Sequence, residues 1–270
     1  MVCFPNAKIN IGLNITSKRT DGFHNIETVF YPIPLSDVLE FIPSKSLETT
    51  INTTGIALNI SGKENICYRA YQLLAKDYKL PSLEIHLHKI IPSGAGLGGG
   101  SADASFLMKE LNDFYRLGLT NENLEKLAAE LGSDCAVFIE NKPVFAYGRG
   151  EKFNSIDLDL GKYFIYLVKP EVFVSTVDAY AGVTPSEPKN SLKDLIRSPL
   201  SDWKSTVFND FELSIFKKHP LLSEIKEELY TQGAIYAAMS GSGSTIYGIF
   251  EKEPKENIRF DNYFTWISKM

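Results

Sequence analysis

The order of elements along the chain predicts an α+β protein in two lobes. Three observations carry this. The N-terminal fifth alternates apolar and polar residues with the period of strands, and a glycine run after Ser93 leads into two successive helical segments instead of a strand. The second half then mixes helices with strands, starting from a new apolar run at Tyr163. The 270 residues are enough for about two cores, and the predicted lobes are 1–155 and 156–270, with the division just after Gly148-Arg149-Gly150.

Element by element, Ala7, Ile9, Ile11, Leu13 and Ile15 alternate with Lys8, Asn10, Gly12 and Asn14, so a half-buried strand is expected with Lys8 and Asn10 on one face. Asp21-Gly22 signals a turn, and β-rich stretches at 26–33, 37–42 and 47–54 extend this into a meander. Asn65 is a good cap for a helix carrying Ile66, Ala70, Leu73 and Leu74 at helical spacing. Leu83, Ile85 and Leu87 alternate with Glu84, His86 and His88 as a further strand. Helices are expected over 101–115 and over 121–131, the latter ended by Gly132. Beyond the lobe boundary the spacing predicts helices at 175–181, 203–216 and 221–232, and strands at 163–168, 234–239, 245–250 and 263–267. The proline-rich stretch 185–199 reads as a mobile loop.

Composition narrows the function classes. A formal charge of -5 removes the basic footprint of a nucleic-acid binder, so a phosphate ligand has to be held by local geometry. No window resembles a membrane span, and the N-terminus lacks a secretory pattern, which predicts a cytoplasmic protein. Cys3, Cys67 and Cys135 are odd in number and lack CxxC spacing, so reduced, buried thiols are expected.

The chemically informative stretch is Pro92-Ser93-Gly94-Ala95-Gly96-Leu97-Gly98-Gly99-Gly100-Ser101-Ala102, with five glycines in seven residues between a strand and a helix. Glycine costs conformational entropy, and such a run is tolerated where backbone turns through positive φ and presents bare N–H groups. At a helix N-terminus those donors and the helix dipole favour an anion, and a polyphosphate is the natural guest. Gly94, Gly96 and Gly99 match the dinucleotide fingerprint formally, but a helix arrives where its βαβ unit needs a strand. Walker A spacing is also present, yet Gly100-Ser101 stands where Gly-Lys-Ser/Thr is required, and no protein-kinase signature occurs. A second turn, Ser240-Gly241-Ser242-Gly243-Ser244, lies between two apolar strands and is expected to contribute to the same site.

Three segments together resemble the motifs of the GHMP small-molecule kinases: Pro-Asn-Ala-Lys-Ile-Asn-Ile-Gly-Leu at 5–13, Gly-Leu-Gly-Gly-Gly-Ser at 96–101 and Met-Ser-Gly-Ser-Gly-Ser-Thr at 239–245. Arg-Thr-Asp-Gly-Phe-His-Asn-Ile-Glu-Thr at 19–28 and Gly132-Ser133-Asp134 are similar to the branch of that family acting on a cytidyl sugar alcohol. The resemblance implies a two-lobed GHMP kinase fold, with an N-terminal lobe like a ribosomal-protein domain and a ferredoxin-like C-terminal lobe. It implies ATP as donor and 4-diphosphocytidyl-2-C-methyl-D-erythritol as acceptor, phosphorylated on its 2-hydroxyl on the non-mevalonate route to isoprenoids. Asp134 would be the base, Lys8 its charged partner with Asn10 nearby, and residues 92–102 the nucleotide loop. Phe23, His24 and Tyr180 would hold the cytosine, with Thr176 one helical turn before Tyr180.

This is chemically coherent. Phosphoryl transfer asks mainly for positioning and charge neutralisation, and an aspartate beside a lysine suits a proton acceptor that has to stay ionised. Magnesium is expected because several phosphates need neutralising, with Ser101 able to supply an oxygen ligand. Duller readings exist for each residue: a solvated strand lysine for Lys8, a cap for Asp134, a turn histidine for His24, and an exposed strand face for the His86 and His88 pair. The rival functions are another kinase of the same fold acting on mevalonate, homoserine or a sugar, a nucleotide sensor without turnover, and an RNA-binding module, which the charge disfavours.

Overall fold

A computed structural model of the chain describes residues 1–58, 60 and 62–270. Strands β1 (Val2–Cys3), β2 (Asn6–Lys18), β3 (His24–Ser36), β4 (Val38–Pro43) and β5 (Thr50–Gly55) lead to helix α1 (Ile66–Asp77) and strand β6 (Leu83–Lys89). Helices α2 (Gly99–Phe114), α3 (Asn121–Leu131) and α4 (Val137–Glu140) follow, then strands β7 (Val144–Gly148), β8 (Lys152–Ser155) and β9 (Phe164–Lys169). The remainder runs through helices α5 (Thr176–Ala181), α6 (Leu192–Leu195), α7 (Trp203–Thr206), α8 (Phe211–Lys218) and α9 (Pro220–Thr231) to strands β10 (Tyr236–Met239), β11 (Ile246–Phe250) and β12 (Phe264–Lys269). These elements form two compact units. One comprises Met1–Lys8, Leu35–Ser93 and Gly98–Lys142, the other Ile9–Pro34, Gly94–Leu97 and Pro143–Met270.

In the first unit a sheet of order β1-β4-β6-β5 is covered by helices. Leu39, Phe41, Ile85 and Leu87 from the strands meet Leu74, Leu107, Leu111 and Leu124 from the helices in one buried cluster. Asn65 caps α1 by accepting from the Cys67 N–H, and Thr120 forms a capping box with Asn123 at α3. The expected meander is not what forms here. β5 lies parallel to β6, with Ile51 opposite Ile85, because α1 intervenes between them and supplies the crossover that a parallel neighbour requires. On this sheet the Thr54 hydroxyl lies 3.0 Å from His86 Nε2 and 2.9 Å from His88 Nδ1. Among the described residues no group of three or more potential ligands could hold a metal.

The second unit contains the sheets β2-β3-β7-β8 and β10-β11-β9-β12. Val29 stands opposite Phe145, and the glycines at 148 and 150, both at positive φ, turn the β7–β8 hairpin. Leu13, Ile15 and Ile26 join Tyr166, Val168, Ile225, Leu229 and Ile246 in its core. β2 forms as expected but is buried on both faces from Ala7 to Leu13, so its polar positions are enclosed as well as its apolar ones. The single helix expected over 203–216 is broken between α7 and α8. Leu13 N–H donates to the Phe208 carbonyl and Asp210 N–H donates to the Leu13 carbonyl, pairing Asn209 with Leu13 in an isolated parallel bridge. The loop expected at 185–199 contains α6, whose Leu192 is buried. Among the described residues no helix is long and apolar enough to cross a membrane.

Candidate active site

The alternation that forms β2 also places Lys8 at its third residue, where the side chain is only 3% exposed and its Nζ lies 3.3 Å from Asp134 Oδ2. The Asp134 side chain is 38% exposed, so one end of the pair is enclosed and the other is open to a ligand. Asp134 follows the C-cap Gly132 of α3, and the next residue anchors it. Cys135 is fully buried, its N–H donates to Gly132 and its carbonyl accepts the Ser105 hydroxyl at 2.7 Å. Burial pushes the Cys135 thiol up to about 11, so it stays a neutral packing group.

Gly98 is the N-cap of α2, at φ +70°, and has no side chain to cap the helix. A Cβ there would lie 3.1 Å from Lys8 Cε and 3.0 Å from Phe138 Cζ, so Lys8 runs directly under the start of α2. The helix begins at Gly99, two residues earlier than expected, with no acidic residue in its first turn. Its first N–H groups therefore keep their donor capacity and the positive end of the dipole. Ser101 sits in this turn, on the side of the Cys135 thiol, which its hydroxyl holds lower than burial alone would, and Ala102 is buried behind it.

In the second unit, Gly94 and Gly96 also adopt positive φ, with Ala95 and Leu97 buried as anchors between and after them. Gly96 lies on the second turn: a Cβ would stand 2.0 Å from the Ser240 carbonyl oxygen. The Ser240 hydroxyl donates to the Gly96 carbonyl at 2.8 Å and accepts the Asn10 N–H at 3.1 Å. Asn209 holds the same turn by donating to the Met239 and Gly241 carbonyls, both at 2.8 Å. Asn10 is buried, with its side-chain amide donating to Thr28 at 3.0 Å.

The residues expected around a base are distributed differently from a simple sandwich. His24 stacks on Tyr180 with ring centroids 4.9 Å apart and planes 17° from parallel, and Tyr180 packs edge-on against Phe211. Phe23 is 53% exposed and carries the Arg149 guanidinium 4.3 Å above its ring. Thr176 is the exposed first residue of α5, one turn before Tyr180. Pro92 is buried and Ser93 exposed at the start of the glycine loop. Sequence reasoning missed Arg149, whose place in a Gly-Arg-Gly turn reads as punctuation, and the buried cluster that joins Asp37 and Lys89 to Asp103 of α2.

Comparison with known proteins gives the relatives of the chain as a whole. The family described as GHMP kinases N terminal domain matches residues 65–148, and GHMP kinases C terminal matches 191–262. A Parabacteroides distasonis protein named 4-diphosphocytidyl-2-C-methyl-D-erythritol kinase is 52% identical over 272 residues, covering 100% of both chains. A Bacteroides fragilis protein of the same name is 54% identical over 257 residues, covering 94% of each. A crystal structure of a 4-(cytidine 5'-diphospho)-2C-methyl-D-erythritol kinase superposes with a TM-score of 0.79 at 30% identity, over 92% of this chain and 90% of that one. The Methanococcus jannaschii mevalonate kinase shares the fold, at a TM-score of 0.72 and 14% identity over 100% of this chain and 98% of its own.

Proposed function

The chain belongs to the GHMP kinase family, in its 4-diphosphocytidyl-2-C-methyl-D-erythritol kinase branch, and from that premise we propose how its residues divide the reaction. ATP is the phosphate donor. The acceptor is the 2-hydroxyl of 4-diphosphocytidyl-2-C-methyl-D-erythritol, and the product feeds isoprenoid synthesis.

The observation that carries the assignment of roles is the Lys8–Asp134 pair at 3.3 Å beside the uncapped start of α2. Asp134 accepts the proton of the attacking hydroxyl, and its partial exposure leaves it reachable by the acceptor. Lys8, held under Gly98, offsets charge on the transferring phosphoryl group. Residues 92–102 supply backbone donors to the triphosphate, with the positive-φ glycines bringing the chain close enough for N–H contact. Phe23, His24, Thr176 and Tyr180 form the acceptor's recognition surface, and Asn10 keeps the Ser240 turn in register beside Lys8's strand. Magnesium fits this donor set as an ion held mainly by phosphate oxygens, since the loop offers the Ser101 hydroxyl and, among the described residues, no carboxylate cage is present. When bound, it neutralises phosphate charge.

The lobes 1–155 and 156–270 divide the work as nucleotide and catalytic lobe and as substrate-completing lobe, a division supported by one family match lying within each. We assign the protein to the cytoplasm. Three buried free thiols support a reducing compartment, and the net charge of -5 supports a small-molecule partner over nucleic acid.

The test is ADP release with ATP and magnesium in the presence of the cytidyl methylerythritol, mevalonate, homoserine or galactose in turn. Turnover with the first alone is expected. Turnover with another acceptor only would transfer the reading to a different kinase of this fold.

A further inference from the structure

We propose that Asp37, Lys89 and Asp103 form a buried clamp holding both ends of the glycine loop in register for the triphosphate, which makes Lys89 and Asp37 positioning residues of the reaction. This rests on the reading of residues 92–102 as the ATP loop.

The three side chains are among the most enclosed charged groups of the first unit, at 0% exposure for Asp37, 3% for Lys89 and 1% for Asp103. Lys89, the last residue of β6, donates through Nζ to Asp37 and to Asp103 Oδ2, the latter at 2.7 Å. Asp37 Oδ1 accepts the N–H groups of Ile90 at 2.5 Å and Ile91 at 2.9 Å, the two residues that lead into Pro92. The Lys89 carbonyl is itself fixed by the Ile56 N–H at 2.9 Å, and the Asp37 N–H by the Pro5 carbonyl at 2.9 Å. On the far side of the loop, Asp103 lies one turn beyond Gly99 in α2. A Cβ at Gly99 would stand 2.8 Å from Ile91 Cγ2 and 3.3 Å from Lys89 Nζ, so the start of the loop and the start of the helix abut on this lysine.

Two aspartate side chains and one ammonium enclosed together are not the cheapest way to fill a core, since well-packed apolar residues of similar volume are often as stable. What the ionic cluster adds is direction. It ties the backbone at 90–91 and the second turn of α2 to a single Nζ, so the intervening glycines, each free to turn through positive φ, span a fixed gap. A phosphate cradle made of backbone N–H groups is only as precise as the points between which it is strung, and displacements near 1 Å at such sites cost on the order of 10²-fold in rate.

The experiment compares full-length wild type with the double variant Lys89→Met/Asp103→Leu, which removes the ammonium together with its α2 partner and fills the space with apolar side chains. Cooperative melting is recorded together with KM for ATP, KM for the cytidyl methylerythritol and kcat. A folded double variant whose KM for ATP rises about tenfold or more, with the acceptor KM within about twofold of wild type, is expected. An ATP KM within about twofold of wild type, or both KM values rising together, would overturn the clamp and leave the kinase assignment standing, because ADP release persists. Absence of ADP release in wild type would remove both. If the double variant does not fold, Asp37→Asn is read by the same criteria, since it keeps an acceptor for Ile90 and Ile91 but not the charge facing Lys89.

Discussion

Gly96 and Ser240, far apart in the chain, approach so closely that a single methyl group on the glycine would stand 2.0 Å from the serine's carbonyl oxygen. The glycine also sits at φ +76°. Gly96→Ala is therefore opposed twice, by the left-handed backbone and by a backbone atom that cannot swing aside. We expect a loss of about 2 kcal/mol or more, read as a lowered denaturation midpoint, together with loss of ATP binding.

Asp134→Asn keeps the shape of the side chain and removes its capacity to take a proton. At the 3.3 Å contact with Lys8, we expect kcat to fall by roughly 10² or more while KM for ATP stays near the wild-type value. Steady-state ADP release over a range of ATP concentrations separates the two effects, and near-normal kcat would remove Asp134 from the proton-accepting role.

Phe23→Ala removes the ring beneath Arg149. The acceptor KM is expected to rise roughly three- to tenfold, as loss of a stacking face implies, with little change for ATP. Equal weakening of both ligands in titration calorimetry would place Phe23 outside the acceptor surface.

Asn209→Ala leaves the Met239 and Gly241 carbonyls without their side-chain donor. Because these groups are buried, a cost of about 1–3 kcal/mol is expected in urea denaturation, larger than for an exposed asparagine.

Thiol chemistry gives a pH prediction. Burial, reinforced by Glu110 and Asp103, pushes the Cys3 thiol up to about 12, and burial holds Cys67 well above its usual value. In the unfolded chain these thiols ionise at about 8.5. Above that pH the native state binds more protons than the unfolded one, so stability falls as pH rises from about 8.5 towards 12. At pH 8 the native protein is expected to react slowly with a thiol reagent and rapidly in denaturant. Fast modification of all three cysteines in the native state would contradict the buried, protonated assignment.

How much of this was legible in the sequence depends on the range of the interactions. α3 forms over the expected 121–131 because its spacing and its stop at Gly132 are local signals, and the β2 strand follows from simple alternation. Lys8 and Asp134 are far apart in the chain and became partners on paper only through the family's motifs. Asp37 and Lys89, 52 residues apart, have no such motif, and a lone aspartate or lysine reads as solvent-facing. The parallel pairing of β5 with β6 is equally silent, since alternation shows which residues share a face and not which strand lies alongside. The break between α7 and α8 escaped because Phe208 and Asp210 are drawn out by Leu13, whose pull leaves no mark on the helical spacing.

The Ser240 hydroxyl has one proton, and the Gly96 carbonyl already receives it. Phosphate oxygens only accept hydrogen bonds, so whatever that serine-rich turn offers an anion has to come from its amides or from neighbouring hydroxyls. A chemist designing inhibitors against this turn would do better with an acceptor aimed at the backbone than with one aimed at that side chain, and Ser240→Ala would then weaken the protein's architecture before it weakened the compound.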